Sequence, residues 1–429
     1  MKVIQINSVC GVGSTGRIAL DIHKALIEQG HESFIAYGRE PAKGCVKAIR
    51  IGSDLDVYIH GLYTRIFDRH GLASKKATGK LIGAIEKIQP DIVHLHNIHG
   101  YYLNYETLFD FLKISGIPVV WTLHDCWPFT GHCAHFTFVG CDRWQKGCYD
   151  CPQKKNYPGS LFLDNSRNNY DRKKKAFTGI KNLTIVTPSN WLANLVKDSF
   201  LKEHEITVVP NGIDTTVFRP VKSDFKEKHN IENKFMILGV ASVWNKRKGL
   251  EYFLELAEML RQDEVIVLVG LNDKQIKQLP GNIIGISRTN DVQELIEIYS
   301  AADVFVNPTL EDNYPTVNLE AQACGTYTIT FDSGGTGETI IDPSLGSICS
   351  EKDAKGMRKE LDELRKARSV MDSGKKDPTK IQQSLSRIDK SAFAHRMIDI
   401  YKGNIPVDDF NCSNSENKIE DLAFRRSIC

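Results

Sequence analysis

Short apolar runs alternate with longer amphipathic runs along most of this chain. The strand-length runs of the first half are residues 3–7, 32–37, 91–95, 118–123, 183–187 and 206–209. The helix-length runs of this half are residues 16–29, 78–88 and 191–200. Because the apolar period switches repeatedly between strand and helix spacing, the pattern predicts a parallel sheet with right-handed crossovers.

A second series of the same kind begins at residue 235. Its strand-like runs are 235–243, 265–269, 282–286, 303–306 and 326–331, and its helix-like runs are 250–261, 292–300 and 318–324. Two series predict two sheets, joined through the turn-rich segment 210–220. The predicted fold class is therefore α/β, with two Rossmann-like domains.

The same pattern places the domain boundaries. Residues 1–204 form the first predicted domain, which includes a cysteine-rich loop at 126–152, and residues 205–385 form the second. Residues 386–402 predict an amphipathic helix that we expect to cross back to the first domain. Residues 403–429 are polar and predict a tail.

Composition narrows the class of protein. The 429 residues carry 55 basic and 53 acidic side chains, a net charge of +2 that does not favour a nucleic-acid partner. The N-terminus lacks the long apolar core of a signal peptide, and no apolar run approaches the ~20 residues of a membrane span. We expect a cytoplasmic protein, with contact at the inner face of the cell membrane as a further expectation.

Two carboxylates mark the first candidate site. Asp312 and Glu320 lie eight residues apart, after the apolar run 303–306. A carboxylate can accept a hydrogen bond from each of two neighbouring hydroxyls, as a ribose or a sugar ring presents them. The alternative is that Asp312 caps a helix and Glu320 is solvated. The glycine-rich turn 333–338 favours the ligand site.

A basic loop, residues 244–249, lies between a predicted strand and a predicted helix. Arg247 and Lys248 can neutralise a diphosphate without a metal, Arg as a fork and Lys as a point charge. A solvated run of charge is the alternative. The position at the carboxyl end of a strand favours a ligand, because open α/β sheets bind ligands there.

Glycines and histidines give further candidates in the first half. The loop 11–16 reads G-V-G-S-T-G after the first strand, but no acid follows the second strand, as a dinucleotide site requires. We therefore interpret the loop around Gly13 as a turn in which the backbone closely approaches a phosphate or an acceptor.

His124 ends a strand where a sheet meets the cleft, so we expect it in the site. For His96 and His99 we instead expect polar side chains whose hydrogen bonds are satisfied within the protein.

The cysteine-rich loop suggests a structural metal. Cys133, Cys141, Cys148 and Cys151 fall within nineteen residues. Four thiolates on zinc would fix a long loop that has no apolar period and would leave no open position for catalysis. The alternative is four reduced thiols packed against the aromatic side chains of the same loop.

Basic side chains of the first half suggest one more partner. They are Arg65, Arg69, Lys75, Lys76, Lys80 and the run 172–175. Such charges can meet anionic lipid headgroups or a lipid-linked pyrophosphate. The alternative is that these basic side chains lie on ordinary solvent-exposed faces of the protein.

Taken together, the motifs resemble those of the retaining nucleotide-sugar glycosyltransferases of family 4, which have the GT-B architecture. The segments that carry the resemblance are 208–220, 248–249, 298–308, 312–320, with the E-x7-E pattern, and 331–338. Residues 122–125 and the cysteine-rich loop resemble members that build bacterial surface polysaccharides. The resemblance implies parallel sheets that face each other across a cleft, with the acceptor in the first domain and a UDP- or GDP-sugar in the second.

The resemblance also implies roles for residues. Glu320 would hold the ribose diol, Asp312 the transferred sugar, and Arg247 with Lys248 the diphosphate. The implied catalytic residues are His124, Asp312, Arg247 and Lys248, and the implied donor-binding residues are Gly13, Arg247, Lys248, Asp312, Thr316, Val317 and Glu320. No cofactor is expected for catalysis.

Three positions depart from the family pattern. The first acid of the pair is Asp312 rather than Glu, unless Glu311 serves in a shifted register. Val243 stands where the family usually has an arginine, and Pro315 replaces a glycine and removes a backbone donor. These differences bear on the roles of residues and not on the fold.

The expected reaction is transfer of a sugar to a hydroxyl of a glycan acceptor, which we expect to be a lipid-linked oligosaccharide. Since no covalent nucleophile is evident, we favour attack on the face from which the diphosphate leaves, which retains the anomeric configuration. The alternatives are a sugar-nucleotide epimerase or hydrolase of the same fold, and a non-catalytic protein that binds sugar nucleotides.

Overall fold

Two parallel β-sheets form the framework of the chain, as predicted. The computed structural model describes residues 1–370 and 378–404. The first sheet has seven parallel strands: β1 (Lys2–Asn7), β2 (Glu32–Tyr37), β3 (Ala48–Arg50), β4 (Ile92–Leu95), β5 (Val119–Thr122), β6 (Leu183–Thr187) and β7 (Glu205–Val208). The second sheet has six: β8 (Phe235–Val240), β9 (Glu264–Val269), β10 (Ile283–Ile286), β11 (Val304–Asn307), β12 (Tyr327–Phe331) and β13 (Gly346–Cys349).

The strand order of each sheet determines where a ligand can bind. The orders are β3-β2-β1-β4-β5-β6-β7 and β10-β9-β8-β11-β12-β13. The direction of winding therefore reverses between β1 and β4 in the first sheet and between β8 and β11 in the second. Ligands of open α/β sheets bind beyond the carboxyl ends of the strands at such reversals. The glycine loop follows β1, the basic loop follows β8, and the segment with Asp312 follows β11.

Helices cover both faces of each sheet, which is why the inner strands are almost uniformly buried, whereas the edge strands β3, β7, β10 and β13 are partly exposed. Those of the first domain are α1 (Gly13–Glu28), α2 (Asp54–Phe67), α3 (Lys75–Ile88), α4 (Tyr105–Ser115), α5 (Ser166–Phe177) and α6 (Asn190–Lys197). Those that follow are α7 (Phe225–Lys228), α8 (Leu250–Ala257), α9 (Asp273–Ile276), α10 (Val292–Ala301), α11 (Thr316–Ala323), α12 (Ala354–Val370), α13 (Pro378–Arg387) and α14 (Lys390–Tyr401).

Two element boundaries near the cleft differ from prediction. Helix α1 begins at Gly13 and not at residue 16, because Ser14 and Thr15 continue the helical backbone in its first turn. Strand β8 ends at Val240 and not at residue 243, because the chain turns there towards a short 3-10 turn at Lys246–Lys248. Both changes bring residues of the glycine and basic loops closer to the carboxyl ends of the strands.

The last described helix, α14, packs on the first domain. Phe393 and Met397 share an apolar cluster with Ile18 of α1, and the Tyr401 hydroxyl lies 2.6 Å from His94 Nδ1. This contact crosses back from the end of the second domain to the first helix of the chain. The predicted polar tail lies outside the described residues from position 405 onward.

A buried lysine fixes the start of the cysteine-rich loop. The Lys173 ammonium donates to the carbonyls of Trp127 at 2.7 Å and Thr130 at 3.0 Å, and it lies 3.5 Å from the centre of the Trp127 ring. Burial lowers the pKa of Lys173 to about 7. The loop is therefore anchored to α5 and the aromatic core, and it forms a wall of the cleft.

No helix in the ranges 1–370 and 378–404 has both the length and the apolar character that are needed to cross a bilayer.

Candidate active site

A cavity of about 710 Å³ lies between the carboxyl ends of the two sheets. Its walls come from both domains, as the predicted cleft requires. The first domain contributes Gly13, Ser14, Thr15, Arg17 and His124, and the second contributes Ser242, Lys248, Gly270, Ser287, Arg288, Asp312, Thr316, Val317 and Glu320, among others. Nearly all of these residues follow a strand, so the sheet edges bring them together despite their separation in sequence.

Lys248 and Asp312 form an ion pair on the wall of this cavity. The Lys248 Nζ atom is 2.5 Å from Asp312 Oδ2. Burial by itself would raise the pKa of Asp312, but the charges of Lys248 and Arg247 outweigh it and lower that pKa to about 2. The carboxylate is thus ionised at neutral pH and can accept hydrogen bonds from hydroxyls.

The turn that carries Lys248 is fixed by two local features. The Asn245 side chain accepts a hydrogen bond of 3.1 Å from the Lys248 backbone N–H. Gly249 follows with φ at +76°, and a Cβ atom there would collide with the carbonyl oxygen of Pro308. Gly249 therefore lets the basic loop that carries Lys248 approach the end of β11.

Glu320 projects into the same cavity from α11. The residue is buried, and burial raises the pKa of its carboxyl, although the charge of Arg17 opposes the rise. The Tyr299 hydroxyl donates to Glu320 Oε2 at 3.3 Å and fixes one side of the carboxylate. Lys248 and Glu320 are therefore parts of one site, with a cation and a carboxylate available to the same ligand.

The N-terminus of α11 and the glycine loop complete the walls. Thr316 and Val317 line the cavity as the first two residues of α11, where backbone N–H groups are not used within the helix. Gly13 lies on the opposite side as the first residue of α1. The close approach in that loop occurs at Gly11, where a Cβ atom would collide with the Lys43 carbonyl.

Arg247 does not line this cavity, and its implied contact with the diphosphate stays a prediction. Its guanidinium donates to the Glu311 carbonyl at 2.5 Å and lies 3.8 Å from Asp312 Oδ2. Arg247 and Lys248 thus approach the same carboxylate, Asp312, but only Lys248 lines this cavity. Arg247 instead lines a second cavity of about 670 Å³.

The second cavity lies between the cysteine-rich loop and the basic loop. Its lining includes Asp125, His135, Phe138, Val139, Gln153, Asn156, Tyr157, Asn245, Lys246 and Arg247. At two points of the chain, neighbouring residues line different cavities. His124 lines the first cavity and Asp125 the second; likewise, Lys248 lines the first and Arg247 the second. The wall that separates the cavities is therefore about one side chain thick at these pairs.

Two cations of the first cavity were missed in the sequence. Arg17 and Arg288 both line it, and neither forms an ion pair within the part of the chain that the structure describes. Arg17 directly follows the glycine loop, and Arg288 lies in the polar segment after β10. Polar residues directly after a predicted strand were the available signal, as they were for the basic loop.

His124 lines the cavity at the end of a buried histidine chain. Its Nε2 atom is 3.2 Å from His96 Nδ1, and His96 Nε2 is 3.0 Å from Gln5 Oε1. Burial lowers the pKa of His124 to about 4, so the imidazole is neutral at physiological pH. His124 can therefore orient a hydroxyl but brings no charge to the site. His96 and His99 have protein partners, consistent with satisfied polar residues.

We expect acid to destabilise the first domain through its buried histidines. Burial lowers the pKa of His60 and His124 to about 4 and that of His94 to about 3. In the unfolded chain these groups protonate near the usual value of about 6.5. The unfolded state therefore binds more protons below that pH, and stability falls from about pH 6.5 towards pH 4, by up to about 1.4 kcal/mol per pH unit for each group.

Thermal unfolding between about pH 7.5 and about pH 5 measures this effect. In H94Q the slope of melting temperature against pH should be shallower than in the unmodified chain, because one of the titrating groups is gone. The matched control is H395Q, which replaces an exposed histidine of α14 and should leave the slope unchanged. Equal slopes in all three proteins would contradict the account.

Glu311 does not serve in place of Asp312. Its carboxylate is fully buried and accepts hydrogen bonds from the backbone N–H groups of Phe136 at 3.2 Å, Thr137 at 2.8 Å and Phe138 at 3.1 Å. The hypothesis of a shifted register is therefore wrong. Residues 311 and 312 point to opposite sides of the segment, so Glu311 ties the cysteine-rich loop to the second domain while Asp312 faces the ligand cavity.

The four cysteines predicted as zinc ligands surround one small void in the loop. Cys133, Cys141, Cys148 and Cys151 line it together with Phe136 and Trp144. In the part of the chain that the structure describes, no group of three or more His, Cys, Asp or Glu side chains has an arrangement that could hold a metal ion. The observed packing against aromatic rings is that of the alternative with reduced thiols, and zinc remains a prediction that metal analysis of the purified protein tests.

Family models match both halves of the chain. The Glycosyltransferase Family 4 model matches residues 15–217, and the Glycosyl transferases group 1 model matches residues 234–366. The boundary between the matches lies in the segment that joins the two sheets.

Relatives and a solved structure agree with these matches. The glycosyl transferase WcaC of Escherichia coli (strain K12), named for colanic acid biosynthesis, is 26% identical over 82% of this chain and 88% of its own length. An N,N'-diacetylbacillosaminyl-diphospho-undecaprenol alpha-1,3-N-acetylgalactosaminyltransferase of Campylobacter jejuni is 26% identical over 53% of this chain and 62% of its own length. The Anabaena protein HepE in complex with UDP superposes with a TM-score of 0.63 at 12% identity, covering 94% of this chain and all of HepE (100%).

The two matched halves, the paired sheets and the cleft between them thus lead to one conclusion: the chain is a glycosyltransferase of GT-B fold, built from a Glycosyltransferase Family 4 domain and a Glycosyl transferases group 1 domain.

Proposed function

We propose that this glycosyltransferase moves a sugar from a UDP- or GDP-sugar to a hydroxyl of a lipid-linked oligosaccharide in surface polysaccharide synthesis, with retention of anomeric configuration. The observation that carries the proposal is the common cavity of Lys248 and Glu320. It offers a cation for a diphosphate and a buried carboxylate for a ribose in one space of about 710 Å³, which suits a nucleotide sugar.

The donor contacts follow from the positions of the charges. The diphosphate would lie against Lys248 and the N–H groups at the start of α11, because both favour negative charge. Arg17 of the first domain and Arg288 of the second are further cations that line the same cavity. Glu320 would accept hydrogen bonds from the two ribose hydroxyls, and UDP in the structurally similar HepE supports a nucleotide diphosphate as ligand.

The chemistry would proceed on one face of the sugar. The bond between the anomeric carbon and the phosphate oxygen breaks, and the bond from the acceptor oxygen to the same carbon forms. The acceptor proton passes to the leaving phosphate oxygen, so no further base is needed. Lys248 stabilises the charge that develops on the diphosphate, and the stabilisation is greater in the transition state than in the ground state. Asp312 would hold hydroxyls of the transferred sugar.

The second cavity would receive the acceptor. It adjoins the donor cavity at His124–Asp125 and at Arg247–Lys248, where single side chains separate the two spaces. Lys246, Arg247 and His135 on its walls suit an anionic group, such as a diphosphate beside the acceptor sugar. The Campylobacter jejuni relative, named for a diphospho-undecaprenol acceptor, supports a substrate of this class.

Stereochemistry and turnover test the proposal together. Purified protein is incubated with UDP- and GDP-sugars and a polyprenyl-diphosphate oligosaccharide, and the product linkage is determined by NMR spectroscopy. We expect a product whose anomeric configuration matches that of the donor. An inverted product would contradict the same-face mechanism. Release of free sugar without transfer would favour a hydrolase, and nucleotide binding without turnover would favour a non-catalytic binding protein.

A further inference from the structure

Helix α2 carries an apolar stripe on its solvent side. Leu55, Tyr58, Ile59 and Leu62 follow the i, i+3, i+4, i+7 spacing of one helix face, and all are exposed, Tyr58 by 71%. The opposite face, with His60 and Thr64, is buried against the domain. A helix of a globular protein normally turns its apolar stripe inward, so α2 has a second apolar face that the described residues leave uncovered.

A neighbouring loop extends this apolar surface. Leu161, Phe162 and Leu163 are consecutive and exposed, Phe162 by 72%. The loop is held against the end of α2, because the Leu161 N–H donates to the Arg65 carbonyl at 2.8 Å. Together, Leu55, Tyr58, Ile59, Leu62, Phe67 and residues 161–163 form what we call the α2 patch. Contiguous exposed apolar surface marks interaction sites, whereas single exposed residues such as Val46 do not.

Basic side chains surround the α2 patch. Arg65 lies on α2, and Lys75, Lys76 and Lys80 lie on the next helix, α3; all four are exposed. Lys76 and Lys80 are close enough to the first turn of α2 to lower the pKa of Asp56, after its hydrogen bonds from Ser53. None of the four basic residues forms an ion pair within residues 1–370 and 378–404.

The acidic groups nearby are already engaged. Asp54 pairs with Arg50 at 2.5 Å, and Asp56 accepts hydrogen bonds from Ser53 in the capping box of α2. Asp164, beside the loop, accepts a hydrogen bond of 2.9 Å from the Ser166 N–H. Counted together, Arg50, Arg65, Lys75, Lys76 and Lys80 carry five positive charges and Asp54, Asp56 and Asp164 carry three negative ones, so the charge around the patch is net positive and its complement is an anionic surface.

A short stretch of chain links the second cavity to the α2 patch. Tyr157 lines that cavity, and its hydroxyl lies 2.9 Å from His99 Nδ1. Four residues further along the chain, Leu161 enters the patch. The α2 patch and the second cavity therefore belong to neighbouring parts of the first domain.

We infer that the α2 patch docks on an anionic lipid bilayer, with its apolar side chains in the interface and the lysines of α3 at the headgroups. Apolar residues gain free energy from burial in the bilayer, and each nearby basic residue adds attraction to anionic lipid. Docking in this orientation would bring the second cavity to a membrane-bound acceptor. Only this role for the second cavity rests on the proposed function.

Flotation with lipid vesicles tests the inference. The unmodified chain should bind vesicles of phosphatidylglycerol and phosphatidylethanolamine more tightly than vesicles of phosphatidylcholine. The double variant I59S/F162S should bind the anionic vesicles at least about tenfold more weakly, because two apolar side chains no longer enter the interface. K75Q/K76Q/K80Q should lose roughly fivefold per charge. The matched control, V46S/I114S, replaces two exposed apolar residues elsewhere and should bind normally.

Several outcomes would overturn the inference. They are equal binding of I59S/F162S and V46S/I114S, equal binding of the chain to both kinds of vesicle, and a dimer in solution that I59S/F162S dissolves, which would assign the patch to a second copy. An assay of sugar transfer to a water-soluble, short-chain acceptor tests the proposed function without a membrane, and so separates it from this inference. I59S/F162S should keep that activity, so lost vesicle binding with intact transfer supports docking, whatever the natural acceptor is.

Discussion

Replacing Lys248 by methionine should lower the turnover of sugar transfer by about 10²–10³-fold. Methionine keeps most of the length of the side chain and removes the charge that faces the diphosphate in the donor cavity. The loss should appear mainly in kcat, since charge on the leaving diphosphate increases as the bond breaks. Steady-state kinetics with a saturating donor measures it.

The matched control for K248M is K228M. Lys228 is an exposed lysine of the same domain, paired with Asp224 at 2.7 Å and not on the wall of either cavity. K228M should retain normal turnover. Because K248M also leaves Asp312 without its closest partner, the melting temperatures of both variants are compared with that of the unmodified chain. A folded K248M with unchanged kcat would contradict the assigned role.

Replacing Glu320 by glutamine should weaken binding of the nucleotide by about ten- to a hundredfold. The amide fills the same buried space but can no longer accept charge-assisted hydrogen bonds from both ribose hydroxyls. Since burial raises the pKa of Glu320, the unmodified chain should also bind nucleotide less tightly as the pH falls and the carboxyl gains a proton. Calorimetric titration at two pH values measures both effects.

A ribose analogue makes the test of Glu320 specific. The unmodified chain should prefer UDP or GDP to its 2'-deoxy form, and E320Q should lose most of that preference. The control is E255Q, which replaces an exposed glutamate on α8 and should preserve both affinity and preference. An E320Q protein that still discriminates against the deoxy form would place the ribose elsewhere.

The sequence predicted the sheets well because their signal is local. Apolar runs of strand length, separated by amphipathic runs, indicated the parallel sheets, and most strand boundaries agree within two residues. The reversals of strand order at β1/β4 and β8/β11 could not be predicted from periodicity, because strand order depends on how the helices pack in three dimensions. The exposed stripe of α2 was missed because no helix was predicted over residues 54–67.

The candidate site was predicted in part. Lys248, Asp312 and Glu320 share one cavity, because each follows a strand at the reversal of the second sheet. Spacing alone could not show that Asp312 and Lys248 line the cavity while their sequence neighbours Glu311 and Arg247 do not. Arg17 and Arg288 were missed because a single arginine after a loop or strand is a weak signal, and only the fold brings both to one cavity.

The central claim is that Lys248 binds the diphosphate and Glu320 the ribose of one nucleotide. It is tested most directly by comparing how K248M and E320Q lose affinity for the nucleoside and for its phosphates. Uridine, UMP and UDP, with the guanosine series in parallel, are titrated into the unmodified chain, K248M and E320Q. We predict that K248M binds the nucleoside normally but loses part of the gain in affinity that the diphosphate provides, whereas E320Q binds every member of the series more weakly. The claim would be contradicted if K248M kept the full diphosphate gain, or if E320Q bound the nucleoside as tightly as the unmodified chain.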